Sequence, residues 1–94
     1  MRVEWTRQAL ANLEDHFDHV ASENLDAARR IFTRVVETVE RLGRFPSMGR
    51  ISRVTDTREL YVSGTPYIVP YRVHNDTVEI LRLLHSSQEW PKKL

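Results

Sequence analysis

The sequence predicts an α+β fold in which an antiparallel helical hairpin packs on one face of a twisted antiparallel sheet. A short segment with alternating polarity opens the chain, and two segments with helical spacing of apolar residues follow. Three strand-like runs then complete the chain as a meander. Because a small sheet cannot bury both of its faces alone, the helical hairpin is expected to cover one of them.

Length and composition restrict the classes of protein to which this chain can belong. Its 94 residues suffice for one domain, so residues 1–94 are expected to fold as a single unit. There is no cysteine, which excludes disulfides and thiolate chemistry. No apolar run approaches about 18 residues, and the N-terminus lacks the apolar stretch of a signal peptide. We therefore expect a soluble cytoplasmic protein without a membrane partner.

The net charge of +1 conceals an uneven distribution along the chain. Residues 1–40 carry five arginines and eight acidic residues, whereas residues 41–94 carry nine basic and five acidic residues. From Arg41 to Arg58 there are five arginines and one acidic residue. Arginine presents a planar fork to carboxylates and phosphates. The pattern therefore favours an arginine-rich side that faces an acidic protein or a nucleoprotein.

The N-terminal segment is expected to form a strand and then the first helix. Val3 and Trp5 alternate with polar residues, and Thr6 is suited to cap a helix. Apolar residues on one helical face follow: Leu10, Leu13, Phe17, Val20 and Ala21. The helix is expected to end near Ser22.

A second helix is expected to begin after Asn24, which is a favourable N-cap residue. Apolar residues then recur at intervals of three and four: Ala28, Phe32, Val35, Val39 and Leu42. Gly43 and the following Phe45-Pro46 indicate the end of this helix. Since only a few residues join the two helices, they are expected to form an antiparallel hairpin.

The C-terminal half predicts three strands, over Arg58–Val62, Tyr67–Val73 and Thr77–Leu84. Residues 50–57 are polar and irregular. Alternate residues of the middle run should face the helices: Tyr67, Val69, Tyr71 and Val73. In the last run either set of alternating residues could form the core face, and the sequence leaves that choice open.

Several short motifs follow one another in this half of the chain. They are Pro46-x-x-Gly49-Arg50, Arg58-Glu59-Leu60, the runs 64–73 and 78–85, and Gln88-x-Trp90-Pro91. Their order and spacing, together with the helical hairpin, resemble the RelE/ParE family of toxins from type II toxin–antitoxin pairs. The resemblance covers nearly the whole chain.

This resemblance implies a small fold of the kind described above and a cognate antitoxin that wraps and neutralises the toxin. It also implies that the pair represses its own promoter, with the operator DNA contacted indirectly through the antitoxin. No cofactor is implied. The family divides by activity, because RelE-like members cleave mRNA in the ribosomal A site whereas ParE-like members poison DNA gyrase.

The residues favour the ParE-like side of this division. In an ungapped comparison, Glu59 and Tyr61 stand where RelE-like nucleases place two lysines on the sheet. If the chain is nevertheless a nuclease, the candidate catalytic residues are His85 as acid or base, and Arg58 and Arg72 as phosphate-binding cations. Gyrase poisoning is therefore the favoured function. The alternatives are a ribosome-dependent endoribonuclease, or a divergent member that acts only through antitoxin binding and autoregulation.

Two further predictions concern what the surface could bind, namely an antitoxin and a metal ion. An acidic, amphipathic antitoxin that folds on binding would be attracted to exposed arginines, and the candidate contacts are Arg50, Arg53 and Arg58. His16 and His19 lie one helical turn apart beside acidic residues, a spacing that could present a metal. No third ligand is in reach in the sequence pattern, so no metal site is expected.

Overall fold

Two helices pack against one face of a mixed six-stranded sheet in the computed structural model, which describes residues 1–94. The elements in chain order are β1 (Arg2–Trp5), α1 (Arg7–Ala21), α2 (Leu25–Glu40), a 3-10 turn (Arg41–Gly43), β2 (Arg50–Ile51), β3 (Arg58–Tyr61), β4 (Tyr67–His74), β5 (Thr77–Ile80) and β6 (Leu84–His85). The predicted α+β class, the helical hairpin and the strands of the meander are confirmed. No helix of the chain is both long enough and apolar enough to cross a bilayer.

Both predicted N-caps are present at the starts of the helices. The Thr6 hydroxyl oxygen accepts a hydrogen bond from the amide of Ala9 at 3.2 Å and donates to the carbonyl of Ile80 at 2.8 Å. The Asn24 side chain accepts from the amide of Ala27 at 2.9 Å. Each cap satisfies a backbone donor that the helix itself leaves free. Thr6 in addition ties the start of α1 to the sheet.

The strand order is β1-β5-β4-β3-β2, and β6 pairs with β4 beyond the end of β5. The β3, β4 and β5 strands form the predicted antiparallel meander. The prediction that the whole sheet is antiparallel is wrong at one position, because β1 pairs in parallel with β5, with Val3 opposite Val78. A parallel pair needs a long crossover. The helical hairpin and the rest of the meander provide that crossover.

The last predicted strand is divided into two, and Pro70 explains the division. The amide of Leu81 donates to the carbonyl of Pro70 at 2.9 Å, but Pro70 has no N–H with which to return the bond. The carbonyl of Leu81 instead lies 3.3 Å from the Thr6 hydroxyl. The chain leaves the ladder here and rejoins β4 as β6, where Leu84 lies opposite Ile68.

The main core lies between the helices and the sheet and contains 14 buried residues. The core includes Val78 and Ile80, so the structure resolves which face of the last strand is turned toward the helices. Two predicted core residues are wrong. Leu10 is 46% exposed because α1 turns the small Ala9 inward, and Val73 is 45% exposed because it lies near the tip of the β4–β5 hairpin.

The second face of the sheet is also partly covered. Four apolar residues that do not belong to the main core are buried: Ile68, Pro70, Leu81 and Leu84. The C-terminal tail lies near this region, since the Arg82 side chain donates to the carbonyl of Lys93 at 3.5 Å and Trp90 is half-buried. The sheet therefore buries apolar side chains on both faces, although only one is covered by helices.

Candidate functional site

A buried carboxylate organises the arginines that follow the helical hairpin. Glu59 is only 2% exposed. Its Oε2 accepts from the Ser52 hydroxyl at 2.9 Å, from the Arg53 amide at 3.1 Å and from the Arg53 Nε at 3.3 Å. Its Oε1 accepts from the Tyr61 hydroxyl at 3.1 Å and lies 3.7 Å from an Arg50 guanidinium nitrogen. The carboxylate thus fastens the loop after β2 to strand β3.

The protonation of Glu59 follows from these contacts. Burial acts to raise the pKa of the carboxyl, but the bonds from the Arg53 amide, Ser52, the Arg53 side chain and Tyr61 together outweigh it and lower the pKa below its ordinary value. Glu59 is therefore ionised at neutral pH. It presents no free negative charge to a ligand, because its oxygens are already occupied by donors of its own chain.

Each of the two arginines beside Glu59 also stacks on an aromatic ring. The Arg50 guanidinium carbon lies 4.4 Å from the centre of the Tyr61 ring, and the Arg53 carbon lies 4.0 Å from the centre of the Trp90 ring. We call these five residues the Glu59 cluster. The side chains of Arg50 and Arg53 remain 66% and 52% exposed, so both can still meet a partner.

Arg58 lies outside the Glu59 cluster. It stands opposite Tyr71 in the ladder, whereas Glu59 stands opposite Pro70, so the two side chains leave β3 on different faces. Arg58 donates to the carbonyl of Gly49 at 2.7 Å. Of the three predicted antitoxin contacts, the structure brings Arg50 and Arg53 together and places Arg58 on the other face of the strand.

The loop before β2 is fixed by the buried hydroxyl of Tyr71. This hydroxyl accepts from the amide of Gly49 at 2.8 Å and donates to the carbonyl of Pro46 at 2.8 Å. A Cβ at position 49 would lie 2.6 Å from the Tyr71 ring, so only glycine fits there. The Pro46-x-x-Gly49-Arg50 motif therefore positions Arg50 relative to the core.

The three candidate nuclease residues do not converge. His85 lies opposite Tyr67 in the ladder, and Arg72 lies opposite Glu79 with an ion pair of 2.8 Å. Tyr67 and Arg72 are five positions apart on β4, which places them on opposite faces and roughly 17 Å apart along the strand. Arg58, opposite Tyr71, is also distant from His85 along the sheet.

His85 makes contacts that hold the C-terminal tail. Its Nδ1 accepts from the amide of Ser87 at 3.0 Å and lies 2.7 Å from the Ser87 hydroxyl, and its own amide donates to the Gln88 side chain at 2.9 Å. The His85 ring meets the Tyr67 ring edge-on, with centres 5.5 Å apart. These contacts close the turn that follows β6.

The His16 side chain contacts Leu83 and Tyr67. Its Nε2 lies 2.9 Å from the carbonyl of Leu83, and its ring centre lies 5.1 Å from that of Tyr67. Burial lowers the pKa of His16, while the hydrogen bond to the Leu83 carbonyl acts in the opposite direction. No group of three or more histidine, cysteine, aspartate or glutamate side chains is placed to hold a metal ion.

A groove of about 720 Å³ runs between α2 and the strands β2 and β3. Four arginines line it: Arg30, Arg34 and Arg41 from α2 and its 3-10 extension, and Arg50 from β2. We call it the arginine groove. Arg30 and Arg34 are not among the residues predicted for the site, although their spacing from Arg41 places all three on one helical face. The support that Tyr61 and Trp90 give to the arginines of the Glu59 cluster was not predicted either.

The architecture and the order of its elements are those of small toxins from type II toxin–antitoxin systems. Residues 3–90 match the family described as "ParE toxin of type II toxin-antitoxin system, parDE", and the chain belongs to this family. The resemblance to the RelE/ParE family is thereby confirmed.

Two relatives and one solved structure extend this finding. The chain is 40% identical over 93 residues to Y4kP of Sinorhizobium fredii, a protein provisionally named as a toxin, covering 99% of this chain and 96% of that protein. It is 33% identical over 87 residues to toxin RelE2 of Caulobacter vibrioides, covering 93% and 97%. The structure of a chromosomal ParDE system from P. aeruginosa is similar, with a TM-score of 0.81, 32% identity and coverage of 90% and 95%.

Proposed function

We propose that this ParE-family toxin arrests growth by binding and poisoning DNA gyrase, and that a cognate antitoxin neutralises it. We further propose that the pair represses its own promoter, with the antitoxin supplying most of the contact to operator DNA. The likeness to a ParDE system supports an antitoxin partner. The antitoxin is expected to be acidic and amphipathic and to fold on the toxin surface.

The observation that carries the choice of gyrase is the dispersal of the candidate nuclease residues. RNA cleavage needs a base, an acid and cations around one phosphate. Here His85 holds the tail on one face, Arg72 is paired with Glu79 on the other, and Glu59 stands where a nuclease would place a cation. A toxin that acts by binding needs no such convergence, so this arrangement favours gyrase poisoning over cleavage.

The test compares the two activities with the same purified toxin. We expect it to block supercoiling by gyrase and to increase the yield of protein-linked, cleaved DNA, and we expect His85→Ala to retain both effects. Toeprinting on translating ribosomes should show no codon-specific cuts. Codon-specific cuts without an effect on gyrase would refute the proposal in favour of an endoribonuclease.

Expression without the antitoxin provides a second test. A gyrase poison should stop growth, and growth should resume when the antitoxin is supplied from a second promoter. Unaffected growth at a confirmed protein level would instead indicate a divergent member that acts only through antitoxin binding and autoregulation.

The proposed antitoxin surface is formed by Arg50, Arg53 and Arg58. Arg50 and Arg53 flank Ile51 in the chain, and Ile51, which is 73% exposed, stands opposite Arg58 in the ladder. Ile51 belongs to β2, the edge strand of the sheet, so charge, apolar area and unpaired backbone groups occur together. An acidic amphipathic chain complements all three features.

Charge reversal tests this surface. We expect Arg53→Glu to weaken antitoxin binding, and an acid-to-arginine change in the antitoxin to restore it. Arg7→Glu, at an exposed position on α1, is the matched control and should leave binding unchanged. If no antitoxin reversal rescues Arg53→Glu while the variant keeps its native circular dichroism spectrum, the surface is wrongly assigned.

A further inference from the structure

We propose that the arginine groove is a binding site for the phosphate backbone of duplex DNA. The inference rests on the proposed function only for the identity of that DNA, which would be the segment that gyrase holds.

The spacing of the arginines suits a linear polyanion. Arg34 and Arg41 follow Arg30 by four and eleven residues, so the three side chains leave one face of the helix in a row. At about 1.5 Å per residue the row is roughly 16 Å long. The phosphates of one DNA strand rise by about 3.4 Å each along the axis. The row therefore extends over several successive phosphates, and Arg50 adds a cation from the opposite wall.

The three arginines of this row, Arg30, Arg34 and Arg41, are free to bind an anion. None of the three is among the residues that form the four ion pairs of the chain. Arg34 uses one guanidinium nitrogen to donate to the carbonyl of Ser63 at 3.1 Å, which orients the group and leaves its other donors available. Two glutamates also line the groove. Glu59 is occupied by its own partners, and Glu37 forms no ion pair, so four arginines stand against one unpaired carboxylate.

The lining of the groove favours a nucleic acid over an acidic peptide. Peptide helices are anchored in grooves by apolar side chains. Three of the 13 lining residues are hydrophobic. Leu60 is 5% exposed, the Tyr61 ring carries the Arg50 guanidinium, and Met48 is the one exposed aliphatic side chain, at 42%. The large exposed apolar side chain of Ile51 lies outside the groove, on the surface proposed for the antitoxin. A ligand held by charge with few apolar contacts fits the groove better.

The two proposed surfaces share one residue, Arg50. An antitoxin that covers the arginines of the Glu59 cluster would therefore remove one wall of the groove. Neutralisation would follow because the toxin could no longer hold DNA while bound to its antitoxin.

The test uses the whole toxin and a fluorescein-labelled 20-base-pair duplex of arbitrary sequence, with binding followed by anisotropy from 50 to 200 mM salt. The groove variant carries Arg30→Gln, Arg34→Gln and Arg41→Gln. Four phosphate contacts predict that the affinity of the wild type falls about 150-fold over this range. The groove variant, with one contact left, should lose only about 3- to 4-fold. Glutamine is a good helix former, so α2 should persist.

The control variant carries Arg7→Gln, Arg29→Gln and Arg44→Gln, which remove the same charge from exposed positions outside the groove. It should keep the salt dependence of the wild type. Equal losses of affinity for the duplex in the two variants would overturn the inference, because binding would then depend on net charge alone. Poly-L-glutamate and unlabelled duplex are also compared as competitors of the labelled duplex. If poly-L-glutamate displaces the labelled duplex at the same concentration as the unlabelled duplex or at a lower one, the inference is overturned in favour of an acidic peptide.

The same variants separate this inference from the proposed function. If the wild type binds the duplex as described but does not inhibit gyrase, the proposed function fails and the site stands. If the wild type inhibits gyrase and the groove variant inhibits it equally while neither binds the duplex, the site fails and the proposed function stands.

Discussion

The replacement Glu59→Gln removes a single negative charge and nearly preserves the shape of the side chain. In the wild type the Oε2 oxygen accepts three hydrogen bonds from Ser52 and Arg53, and the residue is 2% exposed. A glutamine oxygen can occupy the same position but carries no charge, so the bonds from Ser52 and the Arg53 amide become neutral and the ion pair with the Arg53 guanidinium is lost. We therefore expect the variant to fold with a lower free energy of unfolding.

The magnitude follows from the number of bonds. A hydrogen bond to a charged group contributes about 1.5–3 kcal/mol and a neutral one about 0.5–1.5 kcal/mol. Three bonds that each lose about 1 kcal/mol predict a destabilisation of about 2–3 kcal/mol. In a domain of this size that corresponds to a decrease of about 10–20 °C in Tm.

The stabilisation that Glu59 provides should decrease as the pH is lowered. The pKa of Glu59 is lowered by folding, so its contribution to stability is complete above the ordinary value of about 4.5 and is lost as the pH falls through the lower folded value. The difference in the free energy of unfolding between wild type and Glu59→Gln should be constant near neutral pH. It should shrink below pH 4.5 as the wild-type carboxylate becomes protonated.

The assay is urea unfolding followed by circular dichroism, repeated from pH 7 to pH 3. Glu79→Gln is the matched control, because its ion pair with Arg72 joins side chains that are 27% and 53% exposed. Such a surface pair contributes at most about 1 kcal/mol. The reasoning is refuted if the two variants are equally stable at pH 7, or if the cost of Glu59→Gln does not diminish in acid.

Three further substitutions test other contacts in the structure. Tyr71→Phe should cost about 1–3 kcal/mol in urea unfolding, because the buried Gly49 amide and the Pro46 carbonyl each lose a partner. Gly49→Ala should cost about 1–3 kcal/mol, since its Cβ would lie 2.6 Å from the Tyr71 ring, and a Tm equal to that of the wild type would contradict the geometry. Asn24→Ala should cost about 1 kcal/mol through loss of the N-cap bond to Ala27, whereas Asn24→Ser should recover most of it.

Local features of the fold could be predicted from the sequence because their signals lie close together along the chain. The caps Thr6 and Asn24 precede the helices that they start, and the apolar spacing of α2 assigned its buried face correctly. The middle strand was also evident from its alternation. These patterns depend on helical or strand periodicity alone.

Long-range features escaped prediction because no local pattern encodes them. The pairing of β1 with β5 joins segments about 75 positions apart, and only the path of the whole chain decides its direction. The division of the last strand depends on Pro70, which acts across the ladder and not along the sequence. The two-residue strand β2 lies in a segment that reads as irregular.

The candidate site was predicted in part for the same reason. Arg50 and Arg53 stood out as charges, but no pattern in the sequence indicated that Glu59 is buried beside them. Its burial depends on donors from a loop six and seven positions earlier, which fold back over it. Pairs such as Arg53 with Trp90 join the loop to the tail and had no signal in the sequence at all.

The parallel pairing of β1 has a consequence for synthesis of the protein. Thr77, the partner of Arg2 in the ladder, is translated 75 residues after it. At about 5–20 residues per second, β1 waits roughly 4–15 s on the ribosome for the strand that completes its edge of the sheet. The helical hairpin can form during that time, but this edge of the sheet forms only after β5 has been translated. A nascent chain that stalls before β5 would therefore lack the β1–β5 pair and with it this edge of the native sheet.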